Sequence, residues 1–278
     1  MCFSWSPLLL CDLAALRIRN GQGRAMDSTT LPAPSFTAID GVTQGIAAGC
    51  YLAVGVAAWL RARDDVRTRV FLAFSIANLI VFGIPAFWWL RGMTNPSTLP
   101  AGATAAVMAA LGVGALLLFH FTQVFPRRRP WINASGMQMP IAYCLAPLTI
   151  AGLVRFMPEN VKALTVPYIL AVIVFGFPLL VLLGFVIPIA AIVSLFRSHQ
   201  EIQKQGLDRL KLPLELILLS QIAGGTLATF FAPLAAVLAP HSATRAVLTV
   251  MICAFGLLTP LAYAAAVWKF EVLAVDPG

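Results

Sequence analysis

Charge is what this chain has least of. Only 11% of its 278 residues are Asp, Glu, Lys or Arg, against 60% hydrophobic, too few to cover a soluble globule of that length. Groups that carry chemistry are equally sparse. The three histidines are His120, His199 and His241, one near a helix end and two in loops on opposite sides, a spacing that cannot converge on a metal ion. The five cysteines (Cys2, Cys11, Cys50, Cys144 and Cys253) form no CxxC pair. Three of them fall within separate apolar stretches, where a small polarizable side chain is ordinary packing. A b-type haem needs two axial ligands facing each other across a bundle, and only His120 could serve as one. No Ser–His–Asp set, paired-carboxylate metal site or Arg-lined phosphate pocket can be assembled, which disfavours an intramembrane hydrolase. No cofactor, metal site or catalytic residue is expected.

Long apolar runs are what the chain has in plenty. They span Gly41–Leu60, Val70–Leu90, Ala101–Phe125, Ser135–Val154, Val166–Phe196, Pro213–Leu238 and Ala246–Trp268. A bilayer core of about 30 Å needs roughly 20 apolar residues per helix, so the fold class is an all-α integral membrane protein, a seven-transmembrane-helix bundle. The fifth run, 31 residues long, is too short for two crossings and reads as one helix kinked at Pro178 and Pro188. Lys and Arg distribute unevenly between the two sets of flanking loops, 12 against 4, with three more before the first span. Loops rich in these residues stay cytoplasmic, which gives N-terminus out and C-terminus in. The net charge of +8 is accounted for by these flanks and by anionic lipid headgroups, so nucleic acid is not an expected partner.

Residues 1–40 read as a poorly ordered leader, with Met26 an alternative start. Residues 41–268 form the transmembrane domain, and 269–278 a short cytoplasmic tail. Neither that tail nor the longest cytoplasmic loop, Arg197–Leu212, has room for a catalytic domain.

Intramembrane polar groups are the usual pointers to function, and few are present. His120, Gln123 and Glu215 lie toward the cytoplasmic leaflet, and Asn78 and Gln221 nearer mid-membrane. These five are the ligand-cavity candidates, and they share a cavity if the third and sixth spans are neighbours. Asp40 borders the outer interface. Glu215 has Lys211 one turn away at i−4, an interfacial pair. Gly45 and Gly49 form a GxxxG on the first span, consistent with a homodimer, while Gly112, Gly114, Gly224 and Gly225 permit close helix approach. Prolines inside five spans mark bends. Trp88 and Trp89 fit an outer aromatic belt, and Trp131 and Trp268 an inner one. No inverted repeat of the transporter kind is visible.

Two segments resemble a known family. Leu118-Phe119-His120-Phe121-Thr122-Gln123-Val124-Phe125-Pro126-Arg127 is similar to the third-helix end of the amino-terminal seven-helix module of bacterial sensor histidine kinases. Pro260-Leu261-Ala262-Tyr263-Ala264, followed by Lys269-Phe270-Glu271-Val272-Leu273-Ala274-Val275-Asp276, resembles that module's exit. The long fifth span, a polar loop with Gln203 and Arg209, and a Gly-containing sixth span follow in order, so the likeness covers about residues 41–276. It implies a multi-pass protein of the bacterial cytoplasmic (inner) membrane with no catalytic residue in the membrane, normally feeding an output domain. The sequence stops where that output would begin, which fits a truncated chain, a stand-alone sensor that borrows an effector, or a structural subunit of a larger complex. The leading expectation is therefore a non-enzymatic sensory or scaffold module that couples to a separate protein partner. One alternative is a small transporter or membrane enzyme for a lipophilic substrate. Another is a structural accessory subunit of a larger complex, in which His120 could ligate a pigment magnesium.

Overall fold

A computed structural model describes residues 37–93, 99–126, 181–227 and 243–274, with the single positions 145, 149, 174, 176 and 178. Most of the leader, nearly all of the fourth span, the Arg127–Arg129 loop, most of the first half of the fifth span and the end of the sixth lie outside the described residues. Every regular element among those described is helical: α1 Ala38–Arg61, α2 Val66–Leu90, α3 Ala101–Val124, α4 Ile187–Lys204, α5 Asp208–Gln221 and α6 Ala243–Trp268. Of these, α1, α2, α6 and residues 102–124 of α3 are long and apolar enough to cross a membrane. Large apolar side chains such as Ile46, Leu90, Ile189, Leu219 and Leu261 are exposed along the helices. That surface calls for lipid rather than water, which is the build of a helical membrane protein.

Helix ends follow hydrogen bonding rather than hydropathy. α1 starts three residues before its apolar run because Thr37 and Asp40 form a reciprocal capping box. The Asp40 carboxylate accepts from the Thr37 amide at 2.8 Å, and the Thr37 hydroxyl from the Asp40 amide at 3.3 Å, satisfying two donors the helix leaves open. The Arg197–Leu212 loop expected from hydropathy is a correction. α4 continues to Lys204 with Ser198 and Ile202 buried and Glu201, Gln203 and Lys204 exposed. It stops at Gly206, whose φ is 66°. The Leu207 amide there reaches the Ile202 carbonyl at 3.2 Å and the Gly206 amide that of Gln203 at 3.3 Å, the left-handed C-terminal motif that glycine permits. α5 then begins at Asp208, with Pro213 inside it.

Two helices carry wide turns. Residues Leu182–Val186 wind as a π-helix ahead of α4, where Pro188 in the first turn cannot donate to the ladder. A second π-helical stretch, Ile222–Leu227, carries Gly224 and Gly225 beyond α5. α2 and α6 pass through Pro85 and Pro260 without ending.

The six helices pack as a closed circuit: α1 on α2, α2 on α3, α3 on α4, α4 on α5, α5 on α6 and α6 back on α1. The third and sixth spans thus each pack on the fifth. Close approach of α1 and α2 depends on Gly55, where a Cβ would lie 2.5 Å from the Ser75 Oγ. A Cβ at Gly41 would collide with the Trp89 indole, whereas one at Gly49 would meet open space. Gly49 therefore faces away from the intramolecular seam, while a Cβ at Gly45 would touch the Ala86 side chain of α2 at 4.0 Å.

Candidate functional site

The polar residues singled out from sequence are spread around the circuit. Asn78, buried on α2, donates to the carbonyl of Phe74 one turn earlier at 2.8 Å. Gln123 on α3 donates to Ser194 on α4 at 2.7 Å. Glu215 on α5 pairs with His199 on α4 at 2.9 Å, and Gln221 on α5 donates to Thr259 on α6 at 3.0 Å. His120 is half-buried on α3, one turn before Gln123. Glu215 thus takes a partner across a helix interface rather than along its own helix to Lys211, because α4 extends far enough to bring His199 alongside. Asp40 does the same at the opposite end, meeting Arg245 at 3.4 Å and Thr249 at 3.2 Å on α6. The Asn78 bond stays within α2, whereas each of the others fastens one neighbouring pair of helices. Inside a bilayer such bonds contribute about 0.6 kcal/mol apiece on average. Among the described residues no group of three His, Cys, Asp or Glu side chains is arranged to hold a metal ion.

Polar contacts concentrate instead at Arg67, a residue the sequence reading treated only as a loop charge. Asp65 caps α2, its Oδ1 accepting from the Arg67 amide at 2.7 Å. The same carboxylate holds the guanidinium, with Nε 3.0 Å from both oxygens and Nη2 2.6 Å from Oδ2. Arg67 is 0% exposed. Buried, it must place its remaining donors on protein, and it does. Nη1 donates to the carbonyl of Pro126, just beyond α3, at 2.9 Å and to that of Val272, just beyond α6, at 3.1 Å. Nη2 reaches the Leu273 carbonyl at 3.4 Å. One side chain therefore joins the start of α2 to the chain leaving α3 and the chain leaving α6.

Beneath it lies an aromatic layer from the same three helices. Phe71, one turn after Arg67, stacks on Tyr263 of α6 with centroids 3.7 Å apart. Phe121 of α3 meets Tyr263 edge-on at 5.3 Å and stacks on Phe125 at 5.1 Å. All four rings are essentially inaccessible. Rings at these separations interlock by shape as well as by area, so α6 cannot turn or slide without displacing Phe71 and Phe121.

The two segments that carried the family resemblance meet here, since Phe121, Phe125 and Pro126 come from one, and Tyr263, Val272 and Leu273 from the other. Arg67 and Asp65 belong to neither. A faint signal was present, an Asp two residues before an Arg in Arg61-Ala62-Arg63-Asp64-Asp65-Val66-Arg67, which puts an acidic N-cap in an otherwise basic loop. Chemically the arrangement orients and fastens; it presents a charge-paired clamp on backbone carbonyls. No protein-family model and no curated protein matches the chain.

Proposed function

We propose that this chain is a seven-helix sensory or scaffold module of a bacterial cytoplasmic membrane, N-terminus out and C-terminus in, that passes helix movement to a separate protein partner without catalysing a reaction. The observation that carries the reading is the convergence on Arg67. The end of α3 and the exit from α6 are held by one buried guanidinium above one aromatic layer. Motion of α6 therefore has a defined outlet at the chain that follows it. Sidedness rests on charge, because Arg61, Arg63, Arg69, Lys204, Arg209 and Lys269 gather at the Arg67 end of the described helices, against Arg91 and Arg245 at the Asp40 end. The positive-inside rule puts the richer end in the cytoplasm. Contact with anionic lipid and with a partner would both occur at that end.

The test is capture of the tagged protein from its native membrane in mild detergent. A stoichiometric protein partner, lost when Arg67 is replaced by Lys while the bundle stays folded, is the expected result. A preparation that remains a lone monomer across detergents would overturn the reading, and a tetrapyrrole absorbance lost on His120→Ala would replace it with the pigment-binding accessory role.

A further inference from the structure

Beyond Trp268 the chain turns back against the bundle instead of continuing along the axis of α6. The amides of Lys269 and Phe270 both donate to the Ala265 carbonyl, at 2.9 and 3.2 Å, which halts the helical ladder. Glu271 follows at φ 48° and is exposed. That is the left-handed region, which a residue with a Cβ disfavours and glycine tolerates. A single 3-10 turn, Val272–Ala274, comes next, with the Val272 side chain fully buried. Long-range contacts hold this turn down: the carbonyls of Val272 and Leu273 on Arg67, about two hundred residues away in the chain, and Val272 in the core.

The same stretch has another way to fold. Lys269 through Asp276 contains no glycine or proline, and its Lys, Phe, Glu, Leu and Ala are compatible with a helix. Freed from Arg67, α6 can carry its hydrogen-bond ladder onward and Glu271 can return to an ordinary conformation. The local preference of the segment and the tertiary hold of Arg67 thus oppose each other. That opposition is the signature of an element poised between two states.

We propose that residues 270–274 form a strap with two positions, folded back on the Arg67 guanidinium or released as an extension of α6, with Glu271 as the hinge. The idea deepens the coupling role, since a partner would read the strap's position, yet it can be tested with no partner present.

The experiment uses the full-length protein in lipid nanodiscs and follows tryptic cleavage after Lys269 by mass spectrometry. A protease needs several residues of free chain around the scissile bond, which the folded-back strap denies and the released strap supplies each time the unsupported α6 extension frays, so cleavage reports release. Glu271→Gly relieves the left-handed hinge and should slow cleavage about fivefold, whereas Glu271→Val worsens it and should speed cleavage about tenfold. Arg67→Lys keeps the charge, loses the planar fork and should also speed it. Because residue 271 is exposed, its two variants leave the core intact, and they decide the matter even if Arg67→Lys fails to fold. Equal cleavage rates for wild type, Glu271→Gly and Glu271→Val, with unchanged helical content, overturn the strap. A strap that responds as stated while no partner is ever captured overturns the coupling role alone; a captured partner with equal cleavage rates overturns the strap alone.

Discussion

Replacing Arg67 by Met is the most searching perturbation of this bundle. Met keeps an unbranched apolar stem but removes every guanidinium donor. Asp65 then loses three contacts of 2.6 to 3.0 Å. Breaking a buried ion pair by deleting one partner costs about 3–5 kcal/mol. The Asp65 side chain is 11% exposed, so water relieves part of that penalty and the lower end, about 3 kcal/mol, applies. The carbonyls of Pro126 and Val272 lose well-formed donors at 2.9 and 3.1 Å, adding about 1 kcal/mol each. The Leu273 contact, at 3.4 Å, adds little. The expected loss is therefore about 5 kcal/mol. Arg67→Lys should lose less, because an ammonium still pairs with Asp65 though it cannot bridge all three segments. The informative variant is Arg67→Met with Asp65→Ser. Serine retains the helix cap and removes the orphaned carboxylate, so about 2 kcal/mol should return relative to Arg67→Met alone. Equilibrium unfolding in mixed micelles, read by circular dichroism, measures all four proteins. An Arg67→Met protein within about 1 kcal/mol of wild type, or a double variant no better than the single, would refute the burial argument.

Two further outcomes follow from the geometry. Gly55→Ala should destabilise the bundle by about 1–3 kcal/mol through overpacking, since the new methyl would lie 2.5 Å from the Ser75 Oγ and 2.7 Å from its Cβ; Ser75→Gly should restore stability where Ser75→Ala does not, as thermal unfolding will show. For sidedness, cysteines placed at the exposed positions Met93 and Gln203 are treated with a membrane-impermeant maleimide in intact cells; labelling is expected at position 93 and not at 203, and the reverse pattern would invert the protein.

Four of the expected spans appear among the described residues as helices long and apolar enough to cross a membrane, legible in sequence because apolar length is a direct physical requirement of the bilayer. Helix ends were less so. Hydropathy records where lipid stops, whereas a helix stops where its last carbonyls find other donors. That is why α4 runs past Phe196 to the glycine motif at Gly206, and why α1 begins at its capping box. The candidate polar residues could be picked out because polar side chains are rare in apolar runs, but their partners were not readable. Gln123 with Ser194, and Gln221 with Thr259, depend on which helices are neighbours. Arg67 was hidden for a different reason. In a loop of four arginines its charge looked topogenic, and its burial requires carbonyls 59 and 205 residues away. Composition cannot distinguish a wet arginine from one whose donors are all consumed by protein.

The six described helices, each touching the next and the last touching the first, form a ring that behaves as a closed linkage. In an open row the outermost rod swings freely; in a ring, displacing one member forces its two neighbours to yield, and theirs in turn. The polar bonds set at successive junctions, from Gln123–Ser194 through His199–Glu215 and Gln221–Thr259 to Asp40–Arg245, act as the joints of that linkage. Its few remaining degrees of freedom are collective ones. From the Asp40 end of α1 or α6 packed contacts run to Arg67 both ways round the described ring, so the connection of that end to Arg67 is not a single dedicated wire.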